Sequence, residues 1–130
     1  MTSFREAVEA KNAEAMAALL ADDVTFRSPV AFKAYEGRPI TAAILAAVVE
    51  VFEDFHYVRE IHDPETGDHA LVFEAKVEGL AVTGCDFLQY DAAGLITDFM
   101  VMVRPLRAAE ALAQAMGARF EAIQAAASRS

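Results

Sequence analysis

Four strand-like runs follow one another between Phe55 and Arg104, and this stretch limits the possible folds more than any other part of the chain. They cover Phe55 to His62, Leu71 to Glu78, Val82 to Tyr90 and Leu95 to Arg104. Between them lie Pro64-Glu65-Thr66-Gly67, then Gly79, then Asp91-Ala92-Ala93-Gly94. Turn signals at this spacing make them consecutive antiparallel strands. In the second run, Leu71, Phe73, Ala75 and Val77 fall on one face and Glu74, Lys76 and Glu78 on the other. One side is therefore buried and one is wet.

The flanks read as helical. Ser3-Phe4-Arg5-Glu6 has the S-x-x-E pattern of a capping box and starts a helix carrying Phe4 and Val8. Asn12 is a good cap for a second short helix through Met16, Leu19 and Leu20, which Asp22-Asp23 ends. Val24-Thr25-Phe26-Arg27-Ser28 alternates as a strand, with Val24, Phe26 and Ser28 on one face, and Pro29 ends its pairing. Val30 to Arg38 reads as a loop. Pro39 then suits the first turn of a helix whose stripe is Ile40, Ile44, Val48, Val51 and Phe52. After Pro105, Leu106, Ala109, Ala113, Met116, Phe120 and Ile123 recur at helical steps to about Ala127. Helices, then strands, then a closing helix give an α+β class in one domain over residues 1–130.

Composition removes several functions. The net charge is −9, so the surface repels nucleic acid and anionic lipid, and neither is an expected partner. Cys85 is the only cysteine, which excludes an internal disulfide and a cysteine metal cluster. No apolar run reaches membrane-spanning length, and a cytoplasmic location is the expectation. His56, His62 and His69 lack zinc-like spacing, and exposed strand or turn positions are their ordinary explanation. No metal and no cofactor are expected.

Asp86 stands out because it is the one acid in the middle of a nearly apolar strand. A buried carboxylate without a partner costs several kcal/mol, so it must be protonated, hydrogen-bonded or facing a cavity.

The order of elements, with Ala21-Asp22-Asp23-Val24-Thr25-Phe26-Arg27-Ser28-Pro29-Val30, Tyr35-Glu36-Gly37-Arg38 and Asp91-Ala92-Ala93-Gly94-Leu95-Ile96, resembles the nuclear-transport-factor-2-like superfamily. Its SnoaL-like and ketosteroid-isomerase-like branch is the most similar. The resemblance implies a cone-shaped, curved, mostly antiparallel sheet wrapped by N-terminal helices with a C-terminal helix, around an apolar pocket and often as a homodimer. Such a fold hosts many chemistries, so function rests on the site.

Ketosteroid isomerase uses an Asp base with a Tyr and a protonated Asp as donors. The resemblance puts its base at Ser28, its tyrosine at Phe4 and its protonated Asp at Asp86, so only one of three is retained. SnoaL-type cyclases and limonene-epoxide hydrolase carry an Asp where this chain has Val101, and the hydrolase also needs an Arg-x-Asp that occurs nowhere here. Steroid isomerisation, cyclisation and epoxide hydrolysis therefore do not transfer on motif grounds.

What the resemblance implies is a chamber with Asp86 as its candidate acid. Phe4, Phe26, Ser28, Phe73, Ala75, Val77, Leu88, Phe99, Val101 and Val103 form its wall, with Tyr57 beside them. Asp86 either is protonated and donates to a ligand carbonyl, or is a structural acid bonded to Tyr57, Tyr35 or an arginine. Ser28 has no nucleophile elbow around it and reads as a filler of space. Three functions stay open. The favoured one is binding of a small apolar carbonyl compound without an assigned reaction. The others are a single-acid isomerase, dehydratase or cyclase for a ketide- or steroid-like substrate, and a dimeric interaction module with a vestigial pocket. Met100 and Met102 share the other face of the last strand, which suggests a homodimer through the convex side of the sheet.

Overall fold

The computed structural model describes residues 3–129. Ser3 caps α1 (Phe4–Glu9) through the expected box. Its hydroxyl accepts from the Glu6 N–H at 3.1 Å while the Glu6 carboxylate accepts from the Ser3 N–H at 3.0 Å. Asn12 caps α2 (Ala13–Ala18) by accepting from the Ala15 N–H.

The expected extent of the second helix needs correction. Leu19 is its C-cap, and Leu20 already opens β1 (Leu20–Arg27), where it pairs with Ile96 and is wholly buried. Sheet pairing and burial outweigh the helical spacing of two leucines. Asp22 and Asp23 sit exposed within the strand. The expected loop after Pro29 contains a two-residue strand, β2 (Tyr35–Glu36), paired with Thr25 and Phe26.

Pro39 stands in the first turn of α3 (Arg38–Val51). The meander follows as the turn signals predict, with β3 (Glu53–Asp63), β4 (Asp68–Val77), β5 (Leu80–Tyr90) and β6 (Ile96–Arg104), and then α4 (Leu106–Ser128). Glu78 and Gly79 both have positive φ, 49° and 81°, which is the backbone a two-residue hairpin turn requires. The six strands form one curved sheet in the order β2-β1-β6-β5-β4-β3. All neighbours are antiparallel except β1 and β6, which run parallel.

The alternation decides which face is inside. Leu71, Phe73, Ala75 and Val77 are buried while Glu74 and Lys76 are exposed. On β5, Val82, Gly84, Asp86 and Leu88 are buried. The helices supply the other half of this core, through Phe4 and Val8, Met16, Ile44 and Leu45, and Leu112.

Candidate functional site

Between the concave face and the helices lies a cavity of about 70 Å³ with an almost wholly apolar wall. Phe4 reaches it from α1, Phe26 from β1 and Ser28 from just beyond that strand. Tyr57 comes from β3, Phe73 from β4, Asp86 from β5, and Phe99 and Val101 from β6. The rings interlock. Phe99 meets Phe4 and Phe26 edge-on, each with centroids 5.2 Å apart, and Phe73 stacks on Phe55 at 4.8 Å.

Four expected wall residues do not border this cavity, which corrects its extent. Helix α4 packs against β4, β5 and β6; Val77 is wholly buried, and Ala75 borders a separate depression with His56 and Val82. Leu88 pairs with His69 and Phe99 beyond Asp86, and Val103 borders a separate open depression beside residues 29–34. The helical half of the wall was absent from the sequence expectation: Met16, Ile44, Leu45, Val48, Leu112 and Met116. Their only sequence signal is an apolar helical stripe, which marks a buried face without saying whether it meets side chains or a void.

Asp86 is 6% exposed, and its Oδ2 accepts a hydrogen bond from the Tyr57 hydroxyl at 3.3 Å. The register explains this contact. Tyr57 lies opposite Phe73, and Phe73 lies opposite Gly84. The Phe73 ring fills the space that Gly84 leaves, since a Cβ there would sit 2.2 Å from the ring's Cζ. Tyr57 reaches past that ring to the acid.

Burial pushes the Asp86 carboxyl up to about 7, with the Tyr57 hydrogen bond pulling the other way. Burial, reinforced by the charge of Asp86, drives the Tyr57 phenol well above its ordinary value, so it remains a donor. Replacing Tyr57 by Phe removes a bond worth about 1.5 kcal/mol to the anion. The Asp86 midpoint should then rise above its wild-type value, as read by carbon NMR titration of the carboxyl. An unchanged or lowered midpoint would show that the phenol does not hold the acid.

Ser28 is otherwise engaged, its Oγ accepting from the Val30 N–H at 3.2 Å. No other carboxylate or histidine borders the cavity among the described residues. The described residues also contain no group of three or more side chains placed to hold a metal ion.

A polar chain runs along the same face outside the cavity. The Arg5 guanidinium lies 5.6 Å from the Tyr57 ring centroid and donates to Glu60 at 3.0 Å. Glu60 also contacts His69 Nε2 at 2.8 Å, and His69 Nδ1 lies 3.2 Å from the Tyr90 hydroxyl. Burial alone would raise the Glu60 carboxyl, but its bonds to His69 and Arg5 together hold it below the usual carboxylate range. His69 is thus a buried, doubly bonded residue and not the exposed strand histidine expected from sequence.

A curved, mostly antiparallel sheet wrapped by helices defines this as a protein of the nuclear-transport-factor-2-like fold. The SnoaL-like domain model matches residues 1–99, and the chain belongs to the SnoaL-like family. A steroid delta-isomerase from Pseudomonas aeruginosa is 38% identical, with 92% of this chain and 88% of that one covered and a TM-score of 0.85. A protein of cystatin-like fold from Silicibacter pomeroyi DSS-3 is 36% identical, with 95% and 90% covered and a TM-score of 0.84. A protein of ketosteroid isomerase-like fold from Catenulispora acidiphila DSM 44928, in complex with trimethylamine, shares the fold at 18% identity. There the coverage is 87% and 90% and the TM-score is 0.62. No curated protein matches the chain. Among the described residues no helix is long and apolar enough to cross a membrane.

Proposed function

We propose that the protein binds a small, mostly apolar carbonyl compound in its inner cavity, with protonated Asp86 donating one hydrogen bond to the carbonyl oxygen. The observation that carries this reading is a buried acid bordering a chamber whose other polar side chains, among the described residues, are Tyr57 and Ser28. Tyr57 already donates to Oδ2, so the acid proton belongs on Oδ1, where it is available to a ligand. In an apolar chamber one such bond fixes orientation while the wall supplies the affinity.

Size narrows the ligand. A water-sized group needs roughly 10–15 Å³ of such space. About 70 Å³ therefore holds roughly five to seven groups. The inner chamber by itself fits a monocyclic or short-chain ketone or aldehyde and is smaller than a four-ring steroid. One observation favours a second reading: the 38% identity to a steroid delta-isomerase supports isomerase-type chemistry in which ionised Asp86 moves a proton. Asp86 would have to do so alone.

Calorimetric titration with 2-cyclohexen-1-one separates the two readings. Binding should weaken as the pH rises through about 7. Asp86→Asn keeps a donor and should remove that pH dependence, while Asp86→Ala should lose about tenfold in affinity. Incubation with 3-cyclohexen-1-one should leave it unconjugated. Conversion at a rate that climbs with pH through the same range would favour the isomerase, and binding indifferent to Asp86→Ala would overturn the carbonyl reading.

The convex face supports a homodimer. Ile61, Phe87 and Met102 are 62%, 40% and 53% exposed, and Ala70, Phe87 and Met100 continue one apolar row across neighbouring strands. Arg59 and Arg104 stand at its rim together with Glu74 and Asp98, so a twofold axis can bring opposite charges together. Light scattering during size exclusion should give twice the chain mass, falling to one chain in Phe87→Glu/Met102→Glu. A monomeric wild type at micromolar concentration would refute this.

A further inference from the structure

Resting on that carbonyl-binding reading, we propose that the ligand is elongated, with its carbonyl at Asp86 and an apolar tail lying in a groove between residues 28–35, α3 and α4. A second, more open cavity of about 170 Å³ occupies this place. The two share Ser28, Val30, Ile44 and Met116, so a single layer of side chains divides them. A ligand that outgrows the inner chamber meets that layer first.

The groove suits a hydrocarbon tail. Tyr35 and Phe120 stand in its wall with ring centroids 6.1 Å apart, and Ala113 and Ile123 extend the apolar surface. Gly117 is an exposed residue on its border, where a Cβ would meet nothing within 4 Å. Alanine there would strengthen the helix, so the open space comes at a cost in helix propensity. In the dividing layer, Ile44 is branched and buried, and Ser28 is tied to the Val30 N–H. Met116 is unbranched and only partly buried, which makes it the member that can swing aside.

The test is a calorimetric series of straight-chain 2-alkanones from 2-pentanone to 2-undecanone, on wild type, Gly117→Leu and Asp86→Ala. In the wild type each methylene added beyond the capacity of the inner chamber should still tighten binding about three- to fourfold. Gly117→Leu places a side chain in the groove and should cut the ratio of 2-undecanone to 2-pentanone affinity by at least about tenfold. An affinity that stops rising once the inner chamber is full would overturn the elongated ligand. So would a Gly117→Leu ratio equal to that of the wild type, while 2-pentanone still depends on Asp86. If 2-pentanone binds equally well to Asp86→Ala, or no alkanone binds, the carbonyl reading itself fails and the inference falls with it.

Discussion

Between about pH 4 and pH 8, wild-type protein should lose about 4 kcal/mol of stability relative to Asp86→Asn. The folded-state carboxyl titrates near 7 against an ordinary value of 3.8. The folded state therefore holds this proton more tightly than the unfolded chain does. For an acid raised in this way, stability is fully present below the ordinary value and is lost as the pH climbs through the folded one. Each pH unit of difference corresponds to about 1.4 kcal/mol, which sets the size of the effect. Asparagine retains the acceptor for Tyr57 and has nothing to ionise. Carboxylates held low in the fold, such as Glu60, act in the opposite sense at acid pH, but they are common to both proteins and cancel in the difference. Urea unfolding midpoints at closely spaced pH values provide the measurement. Parallel curves for the two proteins would mean that Asp86 is solvated or fully compensated.

Gly84→Ala should cost about 3 kcal/mol, a large loss for one methyl group. The added carbon would lie 2.2, 2.6 and 2.9 Å from three atoms of the Phe73 ring. That ring is 1% exposed and is also in contact with Phe52 and Phe55, so it cannot withdraw without disturbing two others. Phe73→Leu is destabilising by itself because it leaves a void. The informative quantity is the coupling: the double variant should be more stable than the summed single losses by more than about 1 kcal/mol. Additivity within about 0.5 kcal/mol would show that the glycine is not there to admit the ring. The same substitution should disturb the Tyr57 to Asp86 bond, since Tyr57 reaches the acid past Phe73.

The meander was legible because its information is local. Turn residues and a period of two specify β3 to β6 without reference to the rest of the chain, and they turn Asp86 inward together with Val82 and Leu88. The start of β1 was not legible. Leu20 is in a strand only because Ile96, far along the chain, is there to pair with it. His69 was misjudged for the same kind of reason, since Glu60 and Tyr90 enclose it from two other strands. Choosing Tyr57 as the partner of Asp86 from among the candidates depended on pairing across three strands. An irregularity between Tyr57 and Arg59 lies on that path and shifts the register. The void was least legible of all, because apolar periodicity reports that a surface is covered and not how completely.

Among the described residues the one parallel contact in the sheet, between β1 and β6, also bears on assembly. Hairpins β3–β4, β4–β5 and β5–β6 can zip from neighbouring residues, whereas Phe26 finds Phe99 only across a span of more than half the chain. Sequence-distant pairing of this kind is the slow part of folding. The pairing of β1 with β6 must therefore wait until β6 has left the ribosome, and α4, made after it, still has to bring Leu112 and Met116 to the chamber wall.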